Sequence, residues 1–400
     1  METDVPIEPG KKKAGGRGPS VGTTRDRAPG RRISRKKNRG VTTFREPKER
    51  ALIAMYRHGG KSTYRSLSKV AKELGIPFQQ LASLLKAAFK EGMFAITLNL
   101  EAERIEIITL EHDVKTRFAD KGLRRVTLVH ADEAILGELD SDERARLRRE
   151  VTDAMAAQLA SYLDAMVASA AKRARGAGRA GLPAPLFRIG VGPGRTLRAL
   201  ADHLRRTPRP VRTSAVETVA SVGYVGLGGN LEANMNARDI AETYGGQFDQ
   251  IPCVGLPMRE EAAVVIQPHQ VREGLQKCLT CDVVITGIGP VGAVPDNGND
   301  LPSSKEIEAI RRGGGCLQIG YSVLDAAGRQ VPTAYKPIGL SPEDLYRMVH
   351  TSGPDGRREV ILIAGGDRRR IVPIKVALSA GLVSWLVTDT VTAKSLLDEP

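Results

Sequence analysis

Phe187-Arg188-Ile189-Gly190-Val191-Gly192-Pro193-Gly194-Arg195-Thr196-Leu197-Arg198-Ala199-Leu200 is the stretch on which the reading of this chain turns. A short apolar run ends in a glycine-rich turn, and the turn leads into a helix start. Only glycine lets a backbone fold that tightly and come that close to a ligand. N–H groups at a helix N-terminus attract anions, Arg195 adds a cation and Thr196 a hydroxyl. The pattern predicts a phosphate cradle. It differs from the dinucleotide fingerprint, because the third glycine comes one residue early. No acidic residue stands about twenty positions on to hold a ribose; Arg212 and Thr213 are there instead. A nicotinamide nucleotide is therefore set aside, and no cofactor is expected.

From residue 185 onward apolar strands alternate with amphipathic helices. Strands are expected over 186–191, 219–225, 247–251, 283–288, 316–319, 360–364 and 384–388. Helices are expected over 196–205, 231–244, 271–279, 305–312, 342–348, 372–380 and 391–397. That order implies an α/β fold with a parallel sheet covered on both faces. Ligands of such sheets bind outside the carboxyl ends of the strands. Glycines cluster there: Gly190, Gly192 and Gly194; Gly226, Gly228 and Gly229; Gly287 and Gly289; Gly365 and Gly366. Each cluster alone also serves a tight strand-to-helix turn; together they predict one pocket.

Upstream the chain changes character. Four hundred residues exceed one ordinary core, so more than one domain is expected. Residues 1–45 hold thirteen Lys and Arg against four Asp and Glu, a net of +9, so the other 355 residues carry only +5 of the total +14. Residues 1–46 are poor in apolar side chains and read as a disordered basic tail. Lys11-Lys12-Lys13, Arg31-Arg32 and Arg35-Lys36-Lys37 suit phosphates without sequence preference.

Residues 47–100 read as a compact domain. A first helix is expected around Leu52, Ile53, Met55 and Tyr56. Leu67, Val70, Ala71 and Leu74 then make a helical stripe that Gly75 stops. After Pro77, the stripe Phe78, Leu81, Ala82, Leu85, Ala88 and Phe89 makes the next helix. Phe94, Ile96, Leu98 and Leu100 alternate as a strand. This is the outline of a winged helix-turn-helix. The exposed side of its second helix carries Gln79, Gln80, Ser83 and Lys86 as candidate DNA contacts: glutamines for adenine edges, Lys86 for a phosphate or guanine. A helical bundle that binds protein fits the same pattern. Residues 101–184 read as a connector with a short strand at 126–129 and a long helix over 141–175. Leu147, Val151, Met155, Leu159, Tyr162, Leu163 and Met166 line one face of that helix.

No apolar segment suggests a secretory leader or a membrane span, so a cytoplasmic location with reduced thiols is expected. Cys278 and Cys281 have redox or zinc spacing, but one such pair at a helix end is a weak signal. His58, His112, His130 and His203 lie outside the glycine clusters, and His269 and His350 sit in polar stretches. Asp325, Asp367 and Asp389 follow strands and are the candidate bases if the pocket does chemistry.

Residues 186–397 resemble the sugar-binding effector domain of the SorC family of bacterial transcriptional regulators. The resemblance rests on Ile189-Gly190-Val191-Gly192 with Gly194-Arg195-Thr196, on Ala241-Glu242 with Tyr244-Gly245-Gly246, and on Thr286-Gly287-Ile288-Gly289. It continues through Asp325-Ala326 with Gly328-Arg329, Ile338-Gly339-Leu340-Ser341, Ala364-Gly365-Gly366 and Leu386-Val387-Thr388-Asp389. The helix-turn-helix resembles the family's in Val70-Ala71, Leu74-Gly75-Ile76 and Leu84-Leu85-Lys86.

The resemblance implies a Rossmann-like effector domain, over 185–400, similar to ribose-5-phosphate isomerase and glucosamine-6-phosphate deaminase. It implies a homo-oligomer, dimer or tetramer, that binds double-stranded operator DNA according to a phosphorylated sugar or related metabolite. The fold's relatives raise a sugar-phosphate isomerase or deaminase as the alternative, but the histidines stand away from the glycine clusters and Asp325, Asp367 and Asp389 equally suit caps and turns, so no enzymatic activity is expected. Carried over by position, Gly192, Arg195 and Thr196 would hold the phosphate, Gly228, Gly229 and Gly289 would line the pocket, and Lys336 would supply a cation. The chain departs from the family where Pro193 stands at an aromatic position, where Gly314-Gly315-Cys316-Leu317-Gln318 lacks the Asp usual before the strand, and where Tyr335 replaces part of an Asn-Asp-Arg run. Arg368-Arg369-Arg370 stand where a lysine is common. Pro77, Phe78 and Ser83 stand where the family's recognition helix often has Ser, Arg and Arg, which implies an altered operator or weaker base reading offset by the basic tail.

Overall fold

The computed structural model describes Ala51 and residues 64–90, 102–136, 141–226, 231–292, 303–353 and 356–398. The chain divides into two compact units, Met1–Leu98 and Asn99–Pro400.

In the first unit α1 spans Tyr64–Leu74 and α2 spans Phe78–Lys90. The expected stripes meet: Val70, Ala71 and Leu81 are buried with Ala51, and Leu67, Leu74, Ile76, Leu84 and Leu85 pack around them. Gly75 ends α1 at a φ of 67°. Its N–H donates to Lys72 O at 3.2 Å and that of Ile76 to Ala71 O at 3.1 Å. This pair of bonds closes the helix and turns the chain into α2. The expected first helix around 52–56 and the wing strand at 94–100 lie outside the described residues.

The second unit is built on seven strands in the order β1-β11-β10-β5-β2-β3-β4, every neighbouring pair parallel. They are β1 Arg125–Val129, β2 Phe187–Val191, β3 Val216–Ala220, β4 Gln247–Asp249, β5 Val283–Thr286, β10 Glu359–Ile363 and β11 Trp385–Asp389. Two antiparallel hairpins stand apart from this sheet: β6 Gly315–Ile319 with β7 Ser322–Asp325, and β8 Ser352–Gly353 with β9 Gly356–Arg357. The helices are α3 Ala102–Arg117, α4 Ser141–Arg179, α5 Arg195–Arg206, α6 Ala233–Tyr244, α7 Ala262–Val265, α8 His269–Leu279, α9 Ser304–Arg312, α10 Pro342–His350, α11 Ile371–Ser379 and α12 Thr390–Leu397.

Side chains alternate across a strand, and both faces of a parallel sheet must be covered. One face carries Ile189, Val191, Ile285, Ile363 and Val387, packed against Met155, Leu159 and Leu163 of α4 and Leu197 and Leu200 of α5. The other carries Val284, Val360, Leu362 and Leu386, packed against Val114 of α3, Met348 of α10 and Ile374 of α11. Trp385 is fully buried, donates to Thr127 Oγ1 at 3.0 Å, and lies edge-on to Tyr162.

Three features differ from the sequence expectations. The 101–184 stretch is more than a connector: β1 extends the sheet beside β11, α3 packs on β1 and α12, and α4 covers a face. Strand β3 sits earlier than 219–225. Past Ala220 the chain leaves the sheet to pair with another loop, Gly223 donating to Ile338 O and Leu340 to Ser221 O, each at 2.9 Å. Residues 316–319 do not join the parallel sheet. Gly320 and Tyr321, at φ of 53° and 67°, reverse the chain at once, so β6 pairs antiparallel with β7.

Candidate functional site

The strand order fixes where a crevice opens. From β2 the chain moves outward through β3 to β4, then returns to place β5 on the other side of β2. The connections leaving β2 and β5 diverge there, which is the switch point where doubly wound sheets bind ligands. The glycine turn at 192–196 follows β2 at this place. It forms a cleft with Gly287, Ile288 and Gly289 after β5, with Gln318, Gly320 and Tyr321 of the hairpin, and with Asp367, Arg369 and Arg370 beyond β10. A second recess adjoins it and shares Arg195, Thr196, Asp367 and Arg370. Its other wall is Arg148, Arg149, Thr152 and Asp153 of α4, and its end is Gly365 and Gly366.

The motif glycines have different tasks. Gly194 lies at φ 108° and ψ 170° as the N-cap of α5, lines the cleft, and provides no side-chain cap. The first-turn N–H groups of α5 have no acceptor within the helix and carry the positive end of its dipole. The turn is held by Gly194 N–H to Leu231 O at 2.8 Å and by Arg198 N–H to Gly194 O at 2.9 Å. Gly192 is buried between β2 and β5: its N–H donates to Ile285 O at 2.9 Å, and a side chain there would meet Ile285 O at 3.2 Å. It serves the packing of the sheet and does not line the cleft.

Four arginines gather around one carboxylate. Arg148 Nη2 lies 3.2 Å and Arg369 Nη2 3.0 Å from Asp367 Oδ2. Arg370 Nη1 donates to Gly365 O at 3.1 Å, and Arg195 stands exposed on the shared wall. Burial pushes the Arg370 pKa down; Asp367 opposes this, while Arg195, Arg148 and Arg369 press it lower. Arg148 is lowered for the same reasons: burial first, offset by Asp367, then the charges of Arg369, Arg144 and Arg195. Burial raises the Asp367 pKa, but hydrogen bonds from Arg369 and the charge of Arg148 outweigh it and hold the carboxyl below its ordinary value.

Supporting groups fix these walls. Asp389, fully buried at the end of β11, accepts from Gly366 N–H, Thr392 N–H and Thr392 Oγ1, each at 2.7 Å. It thereby caps α12 and pins the turn that leads to Arg370. Arg198 Nη1 donates to Asp239 Oδ2 at 2.6 Å and its guanidinium also engages Asp202, tying α5 to α6. Tyr321 is the non-glycine residue with positive φ among the described residues, and it is nearly buried at the cleft. Backbone strain of this kind gathers at ligand sites.

The structure brings Arg195, Thr196 and Gly289 together on the cleft. Gly192 lies behind it. Gly228 and Gly229 lie outside the described residues. Lys336 is exposed on a loop whose backbone N–H donates to Pro257 O, and it lines neither recess. In the first unit Gln79, Gln80, Ser83 and Lys86 are all exposed on α2. Arg148, Arg149, Tyr321 and Arg370 are absent from the sequence-based candidates. The arginine run at 368–370, which stands where a lysine is common, is a signal for Arg370 alone.

The candidate bases already have partners. Asp325 accepts from Ala327 N–H, Arg329 N–H and Arg329 Nε, all at 2.9 Å, closing a hairpin turn. Asp389 caps α12, and Asp367 is paired with arginines. Among the described residues no histidine lines either recess, and no group of three or more His, Cys, Asp or Glu is placed to hold a metal. Cys278 and Cys281 are buried free thiols that donate to Ala220 O and Lys277 O. Among the described residues no helix is long and apolar enough to cross a membrane.

Comparison with known proteins bears on this geometry. The family model Sugar-bind, described as "Putative sugar-binding domain", matches residues 103–398. In fold the chain is similar to the full-length sorbitol operon regulator SorC from Klebsiella pneumoniae, at 21% identity over 88% of this chain and 99% of that one, with a TM-score of 0.57. It is also similar to a DeoR family transcriptional regulator from Listeria monocytogenes, at 18% identity over 73% of this chain and 99% of that one, with a TM-score of 0.56. Comparison with curated protein sequences finds no match. At these identities the solved structures speak for the fold, while the family match runs from α3 through α12 and takes in the whole sheet and both recesses. The chain therefore belongs to the Sugar-bind family, in the fold of SorC- and DeoR-type regulators.

Proposed function

We propose that this chain is a cytoplasmic, DNA-binding transcriptional regulator, acting as a homo-oligomer (dimer or tetramer), whose operator affinity responds to a phosphorylated sugar or related metabolite. The observation that carries the effector half is the meeting of the α5 N-terminus, Arg195, Thr196 and Gly289 in a cleft at the switch point of the sheet. Helix N-termini with an adjacent cation are anion sites. Gly228 and Gly229 belong to the same pocket in this reading. The polyol would lie against Tyr321 and Gln318; among the described residues the Gln318 Nε2 is buried without a hydrogen-bond partner.

The DNA half rests on the exposed face of α2 with Gln79, Gln80, Ser83 and Lys86, on the basic segment 1–45, and on the names of the fold neighbours as transcriptional regulators. The effector acts through unequal affinity for two arrangements of the oligomer. Catalysis is not part of this reading, because Asp325, Asp367 and Asp389 are all engaged in caps, turns or ion pairs.

A thermal-shift screen of sugar phosphates against the wild type and Arg195→Ala tests the proposal. A ligand at one hundred times its Kd adds about 2.7 kcal/mol to stability, and Arg195→Ala should shrink that gain. Equal stabilisation of both proteins removes the role given to Arg195. No response to any phosphorylated sugar would leave a regulator whose pocket has lapsed. Turnover of a sugar phosphate would overturn the non-enzymatic reading. Operator binding should weaken steeply with salt and lose affinity without residues 1–45. Sequence-specific binding that survives deletion of residues 77–90 would contradict the assignment of α2.

A further inference from the structure

We propose that the second unit carries a DNA-backbone contact of its own: the cationic face made by the C-terminal end of α4 and the segment that follows α5 lies along the phosphates of a duplex without reading its bases. This rests on the DNA-binding reading and adds to it a surface outside the helix-turn-helix and the basic tail.

The charge there is concentrated and of one sign. Residues 165–216 hold eleven Lys and Arg and one acidic residue, Asp202, and Asp202 is taken up by Arg198. Lys172, Arg175 and Arg179 fall at i, i+3 and i+7, on one face of α4. They and Arg206 are exposed, and among the described residues none of the four has an ion-pair partner. The helix dipole accounts for little of this, because its effect fades beyond the last turn and that turn holds Arg179 alone. Like charges three and four residues apart oppose the helix they sit on, and a merely solvated helix end gains from mixed signs. Gly176 and Gly178 weaken this end further.

The face continues from α4 onto the segment after α5. Asp164 of α4 pairs with Arg209 at 3.1 Å and accepts from Tyr244 Oη at 2.9 Å, and Arg212 Nη2 donates to Glu242 O at 3.1 Å. These bonds, with the stiffness of Pro208 and Pro210, hold residues 207–212 in place beside α4. Lys172 and Arg179 lie about 12 and 22 Å along the helix from Asp164. Arg206 and Arg212 stand three residues to either side of Arg209. None of these side chains lines either recess at the cleft. An exposed row of that length suits a polymer of phosphates better than a small anion, since a duplex presents one charge per about 1.7 Å of its axis. A second copy of the chain is the poorer occupant. A two-fold interface would set this face against itself, and like charges set against each other repel.

A labelled duplex of random sequence, titrated with the full chain over a salt series and read by fluorescence anisotropy, tests this. The triple substitution Lys172→Gln, Arg175→Gln and Arg179→Gln should lower the affinity about tenfold or more. It should also flatten the plot of log K against log salt by about 2 to 3, since each phosphate contact contributes roughly 0.9. Glutamine matches lysine and arginine in helix propensity, so the far-UV circular dichroism should remain that of the wild type. Lys115→Gln, Arg272→Gln and Lys305→Gln together remove the same charge from exposed positions elsewhere on the unit and should leave the slope as in the wild type. An affinity and slope unchanged by the α4 triple overturn the proposal, and so does an equal loss from the control triple, which would make net charge the cause. An unchanged affinity with an altered sedimentation coefficient also overturns it, because the face would then join two copies. In each of these cases the reading of α2 stands. Failure of the wild type to bind any duplex overturns both.

Discussion

Replacing Gly194 with alanine separates the roles of two glycines that lie two residues apart. At φ 108° and ψ 170° Gly194 occupies backbone space that is close to glycine-only. An added Cβ meets nothing within 4 Å, so the whole cost is conformational, about 1–3 kcal/mol. Relaxing the strain would loosen the bonds to Leu231 and Arg198, which net about 1 kcal/mol each. Gly192→Ala costs a comparable amount, about 1–3 kcal/mol, for the opposite reason: the backbone tolerates it, but the methyl presses on Ile285 O at 3.2 Å and Thr286 Cα at 3.3 Å. Gly176→Ala is the control. It lies in α4 with open space around it and should stabilise by about 0.5–1 kcal/mol. Urea unfolding followed by the fluorescence of Trp385, the one tryptophan of the chain and fully buried in the sheet, reads all three. For a unit of this size the losses correspond to roughly 2–6 °C in Tm. The two destabilised variants part at the cleft: Gly194→Ala should weaken sugar-phosphate binding, and Gly192→Ala should leave it within about twofold once folded. A Gly194→Ala protein with an unchanged midpoint would refute the reasoning, because a turn that accepts alanine there is not the turn described.

Asp389→Ala should cost about 2–4 kcal/mol, combining the lost α12 cap with the stranded Gly366 N–H; a urea midpoint giving less than about 1 kcal/mol would contradict its role. The depressed pKa of Asp367 means that its stabilising contribution is present above its unfolded pKa and is lost as pH falls through the folded one, below about pH 4. The stability gap between wild type and Asp367→Asn should therefore stay constant from pH 7 to 5 and close below pH 4; a gap unchanged at pH 3 would count against the arginine pairing. Burial raises the thiol pKa of Cys278 and Cys281, and that of Cys253 to about 11. A maleimide at pH 8 should leave Cys278 and Cys281 unlabelled in the native protein and modify them in urea, and rapid native labelling of either would show that the core is open.

The parallel sheet was legible because its strands are apolar runs with glycines at their carboxyl ends, and the helices between them carry a stripe of helical period. Local signals end there. Nothing in Arg125–Val129 says that it pairs with Trp385–Asp389, since that partner comes from the far end of the unit; the segment therefore read as a connector. Residues 316–319 look like any buried strand, and the Gly320-Tyr321 turn that detaches them is concealed because tyrosine seldom takes a positive φ. Gly192 and Gly194 are equivalent as letters, and only backbone angles and neighbours show that one faces the sheet and the other the cleft. Arg148 and Arg370 come from segments far apart in sequence, so their meeting at Asp367 is a product of the fold. Lys336 was carried over by position along the chain, while the pairing of its loop with residues 257–259 holds it away from the cleft.

The most direct measurement is the affinity of the full chain for sugar phosphates in the wild type, Arg195→Ala and Lys336→Ala. With the effector phosphate seated at the α5 N-terminus, Arg195→Ala should weaken binding about tenfold or more, and Lys336→Ala should match the wild type. Equal binding by wild type and Arg195→Ala, or a loss confined to Lys336→Ala, would place the effector elsewhere and contradict the account.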